Sequence, residues 1–268
     1  MDRYRLKNII ILILVLMNFF LLSSLALRES RKNSADRTAA QQLSALFAAD
    51  GITLDPAVIS SETPPTGRTL VRDAALERQV AGVLLGNQLS RSDQGGGIST
   101  YSSDRGAALF RASGGFDANG TLSTDAAAFC RSFCKEFQFE EPVFQLDGDG
   151  NGTAHAARLY DDDPVFNCTL TFKISGGTLT AVSGTLLPDA FTEVTSEVEL
   201  LSASAALTAF LKMRRETSAV VSSVTDLYPC FELQSSASVP MALVPSWCIV
   251  TNTVNYYVNC VTGAVTFL

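Results

Sequence analysis

The residues best suited to chemistry in this chain lie in the run Asp147-Gly148-Asp149-Gly150-Asn151-Gly152. It matches the first half of a calcium loop, D-x-D-x-N-G, in which oxygens of Asp147, Asp149 and Asn151 would surround a hard cation. Such a loop closes with a two-oxygen carboxylate at its twelfth position, because calcium takes about six to eight oxygens. Position twelve here is Arg158, and the flanks alternate like strands rather than helices. A hairpin turn of Asp, Asn and Gly is the favoured reading. Asp147, Asp149 and Asn151 stay as a weak calcium candidate, which Asp161, Asp162 or Asp163 could supplement.

The other reactive residue types are sparse. His155 is the single histidine, the residue type most used as general base and metal ligand. It lies in an alternating run that predicts a strand surface position. Cys130 and Cys134 are four apart on a predicted helix, a spacing that paired thiol ligands use, but no second pair accompanies them and they border an apolar stripe. They read as buried structural cysteines. Gly95-Gly96-Gly97 lacks the Lys-Ser/Thr ending of a phosphate loop and opens no helix. Asn119-Gly120-Thr121, Asn151-Gly152-Thr153 and Asn167-Cys168-Thr169 fit the glycosylation triplet. No catalytic set and no cofactor-binding motif is assigned.

Composition narrows the classes further. A formal net charge of −7, with basic residues clustered only beside the apolar run near the start, argues against nucleic acid as partner. Six cysteines in 268 residues are too few for a disulfide-built scaffold. Hydrophobic residues at 47% suffice for a packed core.

Residues 1–8 form a short basic tail, expected to be cytoplasmic, before an uncharged run at 9–27. At about 1.5 Å per residue this run reaches roughly 29 Å, close to the about 30 Å of a bilayer's hydrocarbon core. It predicts a transmembrane helix with the C-terminal body outside the cytoplasm. Ser24-Leu25-Ala26 leaves a cleaved signal peptide as the alternative. Basic residues flank both ends, so the charge rule does not set the orientation. Asn18 lies mid-span, where an amide gains by bonding to another helix; it is the candidate for partner binding within the membrane.

Residues 28–38 read as a juxtamembrane linker and 39–122 as the N-terminal part of the body. There Ala39, Leu43, Leu46 and Phe47 recur at helical spacing up to Asp50-Gly51. Residues 55–67 are loop, and a second helix runs from Asp73 to Gly86-Asn87. Ser90–Gly97 reads as a polar loop, followed by short strands. Residues 123–268 read as two repeated units, each a helix followed by strands and a hairpin. Phe129, Phe133 and Phe137 stripe the first helix; Ala206, Leu207, Phe210 and Leu211 the second. Phe129 and Phe210 are 81 residues apart, and the turns at Gly176 and Asn252 are 76 apart. Broken strands Val220–Val224 and Pro229–Leu233 are expected after the second helix. The fold class is α+β, with antiparallel sheets and helices packed on one face.

The ends of the chain resemble a known group. Met1-Asp2-Arg3-Tyr4-Arg5-Leu6-Lys7-Asn8 leads straight into the apolar run. Leu243-Val244-Pro245-Ser246-Trp247-Cys248-Ile249-Val250 is followed by Tyr256-Tyr257-Val258-Asn259-Cys260-Val261-Thr262-Gly263-Ala264-Val265. Together these resemble YycI-type proteins of the YycH/YycI group, and more loosely PepSY domains; Asp50-Gly51-Ile52-Thr53-Leu54 and Leu84-Leu85-Gly86 are similar as well. The resemblance implies an accessory regulator of a WalK-type sensor histidine kinase in the cytoplasmic membrane. Its implied partners are the kinase and a YycH-like protein, and it carries no enzymatic activity. Two other classes are kept: a PepSY-like inhibitor of an extracytoplasmic protease, and a small-ligand or calcium sensor.

Overall fold

The computed structural model describes residues 37–59, 62–193, 199–236 and 239–267, together with Leu14, Met17 and Phe20. The tail 1–8, Asn18 and most of the 9–27 run and the linker lie outside the described residues. Leu14, Met17 and Phe20 are helical and exposed. Among the described residues no helix is long and apolar enough to cross a membrane.

Helix α1 covers residues 37–49. Leu43 and Phe47 are buried one turn apart, whereas Leu46 is turned outward, 41% exposed. Gly51, at φ +75°, ends the helix with the left-handed cap that glycine alone adopts without a Cβ penalty, and Ile52 N–H reaches back to the Phe47 carbonyl at 2.9 Å. Strand β1 (Thr53–Leu54), a single 3-10 turn and β2 (Arg68–Leu70) follow.

From there one element order recurs three times, a helix followed by a four-strand antiparallel meander. Helix α2 (Ala74–Leu85) leads into β3 (Ser90–Gly95), β4 (Ile98–Ser103), β5 (Gly106–Phe110) and β6 (Gly115–Ser123). Helix α3 (Ala126–Glu136) leads into β7 (Val143–Leu146), β8 (Gly152–Tyr160), β9 (Asp163–Ser175) and β10 (Thr178–Thr185). After β11 (Phe191–Glu193), helix α4 (Ala203–Thr217) leads into β12 (Ser223–Ser236), β13 (Val239–Thr251), β14 (Asn255–Asn259) and β15 (Val265–Phe267). The sequence suggests two such units; α2 with β3–β6 has the same order. Each helix starts on a polar side chain that accepts backbone N–H groups: Asp73, Asp125 and Ser202.

Among the described residues fifteen strands join one sheet, with the central order β11-β2-β13-β12-β9-β10-β6-β5-β4-β3. The sheet is mixed, which corrects the expectation of antiparallel sheets. β1 and β9 both run parallel to β12. Parallel neighbours need a crossover connection, and α4 lies within the one that carries the chain from β10 to β12.

Two further expectations change. Ser90–Gly95 is a strand rather than a loop: as β3 it forms the sheet edge and every residue is exposed, so no buried face marks it in the sequence. The broken strands after α4 are one 14-residue strand, β12, with a register shift between Val224 and Asp226 that disguises its alternation.

The helices cover separate clusters. Val80, Leu84, Cys130 and Phe133 pack with Phe110, Phe116 and Phe172 beneath α2 and α3. Leu43, Phe47, Leu207 and Phe210 pack with Trp247, Tyr256 and Val258 beneath α1 and α4. A smaller cluster including Tyr160, Val165, Phe231 and Leu243 lies between them.

Candidate functional site

The residues that carry the resemblance form turns and core. Trp247 is fully buried, and its indole N–H donates to the Leu201 carbonyl at 2.8 Å just before α4. Leu201 N–H in turn donates to the Cys260 carbonyl. The Asn259 side-chain oxygen accepts the N–H groups of Val261 and Thr262 at 3.0 Å each, and the Thr262 hydroxyl accepts Ala264 N–H. Gly263 adopts φ +72°. The Asn-x-x-Thr-Gly pattern thus supplies the hydrogen bonds and the positive φ of the β14–β15 turn. On the other side of this hairpin Phe166 stacks on Tyr257 at 3.7 Å, beside a hollow of about 130 Å³ bordered by Glu232, Ser246 and Asn259. Burial pushes the hydroxyls of Tyr228 and Tyr257 above the usual tyrosine value.

The Asp147 segment is the β7–β8 turn. The Asp147 Oδ1 accepts N–H groups of Asn151 at 2.8 Å and Asp149 at 3.0 Å, and these bonds hold its carboxyl below the usual carboxylate value. Asn151 Oδ1 accepts Gly176 N–H at 2.9 Å, tying this turn to the β9–β10 turn. Oxygens of two of the three calcium candidates are therefore already engaged in turn bonds. Asp149 lies in the same turn, and among the described residues no group of three metal-ligating side chains forms. His155 is an exposed strand residue between the hydroxyls of Thr153 and Thr171. Cys130, Cys134, Cys168, Cys230, Cys248 and Cys260 are all buried free thiols. Burial pushes those of Cys130, Cys134, Cys168 and Cys260 up to about 12, far from the reactive thiolate range.

Arg158, at the position where a calcium loop would need a carboxylate, has a marked environment. Arg158 follows Ala154 and Ala156 on the inward side of β8 and is 3% exposed. Its Nη1 donates to the carbonyls of Phe137 at 2.6 Å and Gln138 at 2.7 Å, and to Gln138 Oε1 at 3.2 Å, closing the C-terminal end of α3. Gln138 adopts φ +57°, which brings its carbonyl and amide to the guanidinium. Among the described residues the buried Arg158 Nε has no hydrogen-bond partner and no carboxylate pairs with the guanidinium. Burial lowers its pKa from the usual arginine value. The guanidinium borders a cavity of about 120 Å³ between α2, the end of α3 and the chain after β10. A charge in phase with the apolar side of a strand is the sequence signal that marks it.

No family model and no curated protein matches the chain. Among solved structures, it is similar to an uncharacterized protein from Eubacterium rectale ATCC 33656, with 12% identity over 76% of this chain and 81% of that chain and a TM-score of 0.43. It is also similar to the Bacillus megaterium YpeB C-terminal domain, with 13% identity over 75% of this chain and 99% of that chain and a TM-score of 0.34. Both likenesses are loose, and neither carries the YycI-type name.

Proposed function

We propose that this protein is a membrane-anchored regulator of a WalK-type sensor histidine kinase that works by protein contact, with a YycH-like protein as second partner. The observation that supports this reading is the packing of α1 and the segment after it against the terminal hairpin. Ile52 and Leu54, from the segment after α1, pack in one cluster with Trp247, Ile249, Tyr256 and Val258 of the terminal hairpin. Phe47 stacks on Phe210, and the Asp50 carboxylate pairs with Arg215 at 2.6 Å, so α1 and α4 are joined at both an apolar and a charged contact. A helix that follows the apolar 9–27 run would in this way carry displacement to the hairpin on which the resemblance rests. The body lies outside the cytoplasmic membrane in this proposal, and no residue is assigned a catalytic role.

The test is co-purification of the full chain from membranes in mild detergent with the kinase. Recovery of the complex is expected, with a lower yield for Asn18→Leu. Repeated absence of the kinase from the purified material sinks the proposal, and an undiminished yield for the variant removes Asn18 from the contact. A second reading, a small-ligand sensor, is favoured by the cavity beneath Arg158.

A further inference from the structure

We infer that the cavity beside Arg158 is a binding site for a small zwitterionic α-amino acid, its carboxylate taken by the free edge of the guanidinium and its ammonium directed to the acidic mouth. Among the described residues the fold uses only one half of the guanidinium. Nη1 alone makes the three bonds that close α3. A single ammonium nitrogen could supply three such bonds, so closing the helix does not by itself call for a planar fork. The fork's other edge begins at Nε, which is buried and has no hydrogen-bond partner among the described residues. An unsatisfied buried donor is costly, and most of all on a charged group. Nε is covered in the structure, so a carboxylate in the cavity reaches it once a lining side chain shifts aside; side-on to Nε and the neighbouring nitrogen it then forms the bidentate pair for which arginine geometry is suited.

The surroundings fix the rest of the ligand. The cavity measures about 120 Å³, and cavities of about 150 Å³ accept a molecule of six non-hydrogen atoms such as benzene. Alanine has the same number of non-hydrogen atoms. Leu76, Phe139 and Leu186 line the cavity and suit a short aliphatic side chain. Glu136 and Asp189 border it as well, and both are exposed. One guanidinium flanked by two carboxylates disfavours a doubly charged anion such as phosphate. It complements a molecule that carries one negative and one positive charge a few ångströms apart. The inference does not depend on the kinase reading.

The experiment is calorimetric titration of the purified full chain in mild detergent with L-alanine, acetate, inorganic phosphate and the dipeptide Ala-Ala. Alanine is expected to bind, with acetate, phosphate and the dipeptide each at least about tenfold weaker. Arg158→Lys keeps a donor for α3 but lacks the fork, and should weaken alanine at least about tenfold. Because that variant also alters the end of α3, Leu76→Phe is the second: it fills the cavity, leaves every Arg158 hydrogen bond in place, and should abolish alanine binding. Asp189→Asn should weaken alanine while leaving acetate no weaker. Absence of alanine binding overturns the proposal, as does alanine binding that survives Leu76→Phe. Acetate or phosphate binding as tightly as alanine overturns the zwitterion assignment, and equal binding of the dipeptide overturns the size assignment.

Discussion

Asn167 joins the two halves of the sheet with a side chain in place of a backbone ladder. On β9, Thr169 pairs with Ala157 of β8, and the next pairing is Val165 with Arg158, so residues 166–168 are extra on the β9 side. Across the other edge of β9, the backbone ladder to β12 is the single pairing of Val165 with Phe231. Asn167 extends that seam. Its Nδ2 donates to the Leu233 carbonyl at 2.8 Å, and its Oδ1 accepts Leu233 N–H at 2.7 Å. Asn167→Ala removes both bonds and leaves two backbone groups of a buried residue without their partner. At about 1 kcal/mol net per bond the cost is about 2 kcal/mol. For a domain of this size that corresponds to a melting temperature lower by about 4–8 °C. Asn167→Asp keeps an acceptor for the N–H but sets a carboxylate against the carbonyl. It should be less stable than the alanine variant at neutral pH and recover part of the difference once acid protonates the new carboxyl. Thermal unfolding followed by circular dichroism measures both variants, with the exposed Gln94→Ala as control, expected within about 0.5 kcal/mol of the parent. An Asn167→Ala variant that melts within about 1 °C of the parent would refute the seam argument.

Three further outcomes follow from the same structure. Trp247→Phe removes the indole bond to Leu201 and leaves a void in a fully buried site, and should cost about 2–3 kcal/mol in urea unfolding; an unchanged midpoint contradicts the packing described. The six buried thiols should resist a colour-forming disulfide reagent in the native protein and all react once it is unfolded; rapid native labelling of any of them contradicts their burial. The hydrogen bond from Arg215 holds the Asp50 carboxyl below its ordinary value, so its stabilising contribution is complete above the unfolded value of about 3.9 and is lost as pH falls through the lower folded value. The stability gap between the parent and Asp50→Asn should therefore be flat from about pH 8 to about pH 5 and shrink below about pH 4, whereas a gap that widens on acidification reverses the assigned sign.

What could be read in advance depended on whether an element shows one wet and one dry side. The helices have such sides and start on polar caps, so α2, α3 and α4 are legible to within a residue or two: Asp73 and Asp125 announce their starts and Gly86 the end of α2. Strand β9 and its Gly176-Gly177 turn are legible for the same reason. Strand β3 has no dry side, and β12 changes phase at its register shift, so neither shows the alternation that identifies a strand. The parallel seams of β1 and β9 with β12 depend on partners far away in the chain, which local periodicity does not encode. The turn chemistry at Asp147 is readable because Asp, Asn and Gly at those positions act on their own backbone. Arg158 is harder: its inward phase is visible in the alternation, but the cavity beside it is built by α2, by the end of α3 and by the chain after β10, which only the assembled fold brings together.

The parallel pairing of Thr53 with Ser223 sets a timetable for biogenesis. About 170 residues separate the two, and a ribosome adding about 5–20 residues per second needs roughly 10 to 30 seconds to make them. For most of that interval Phe47, Ile52 and Leu54 have no α4 to cover them, and Trp247 comes only after it. The nascent chain therefore carries a sticky apolar segment that its native partners cannot hide early, and shielding it until the last strands emerge is a task for chaperones.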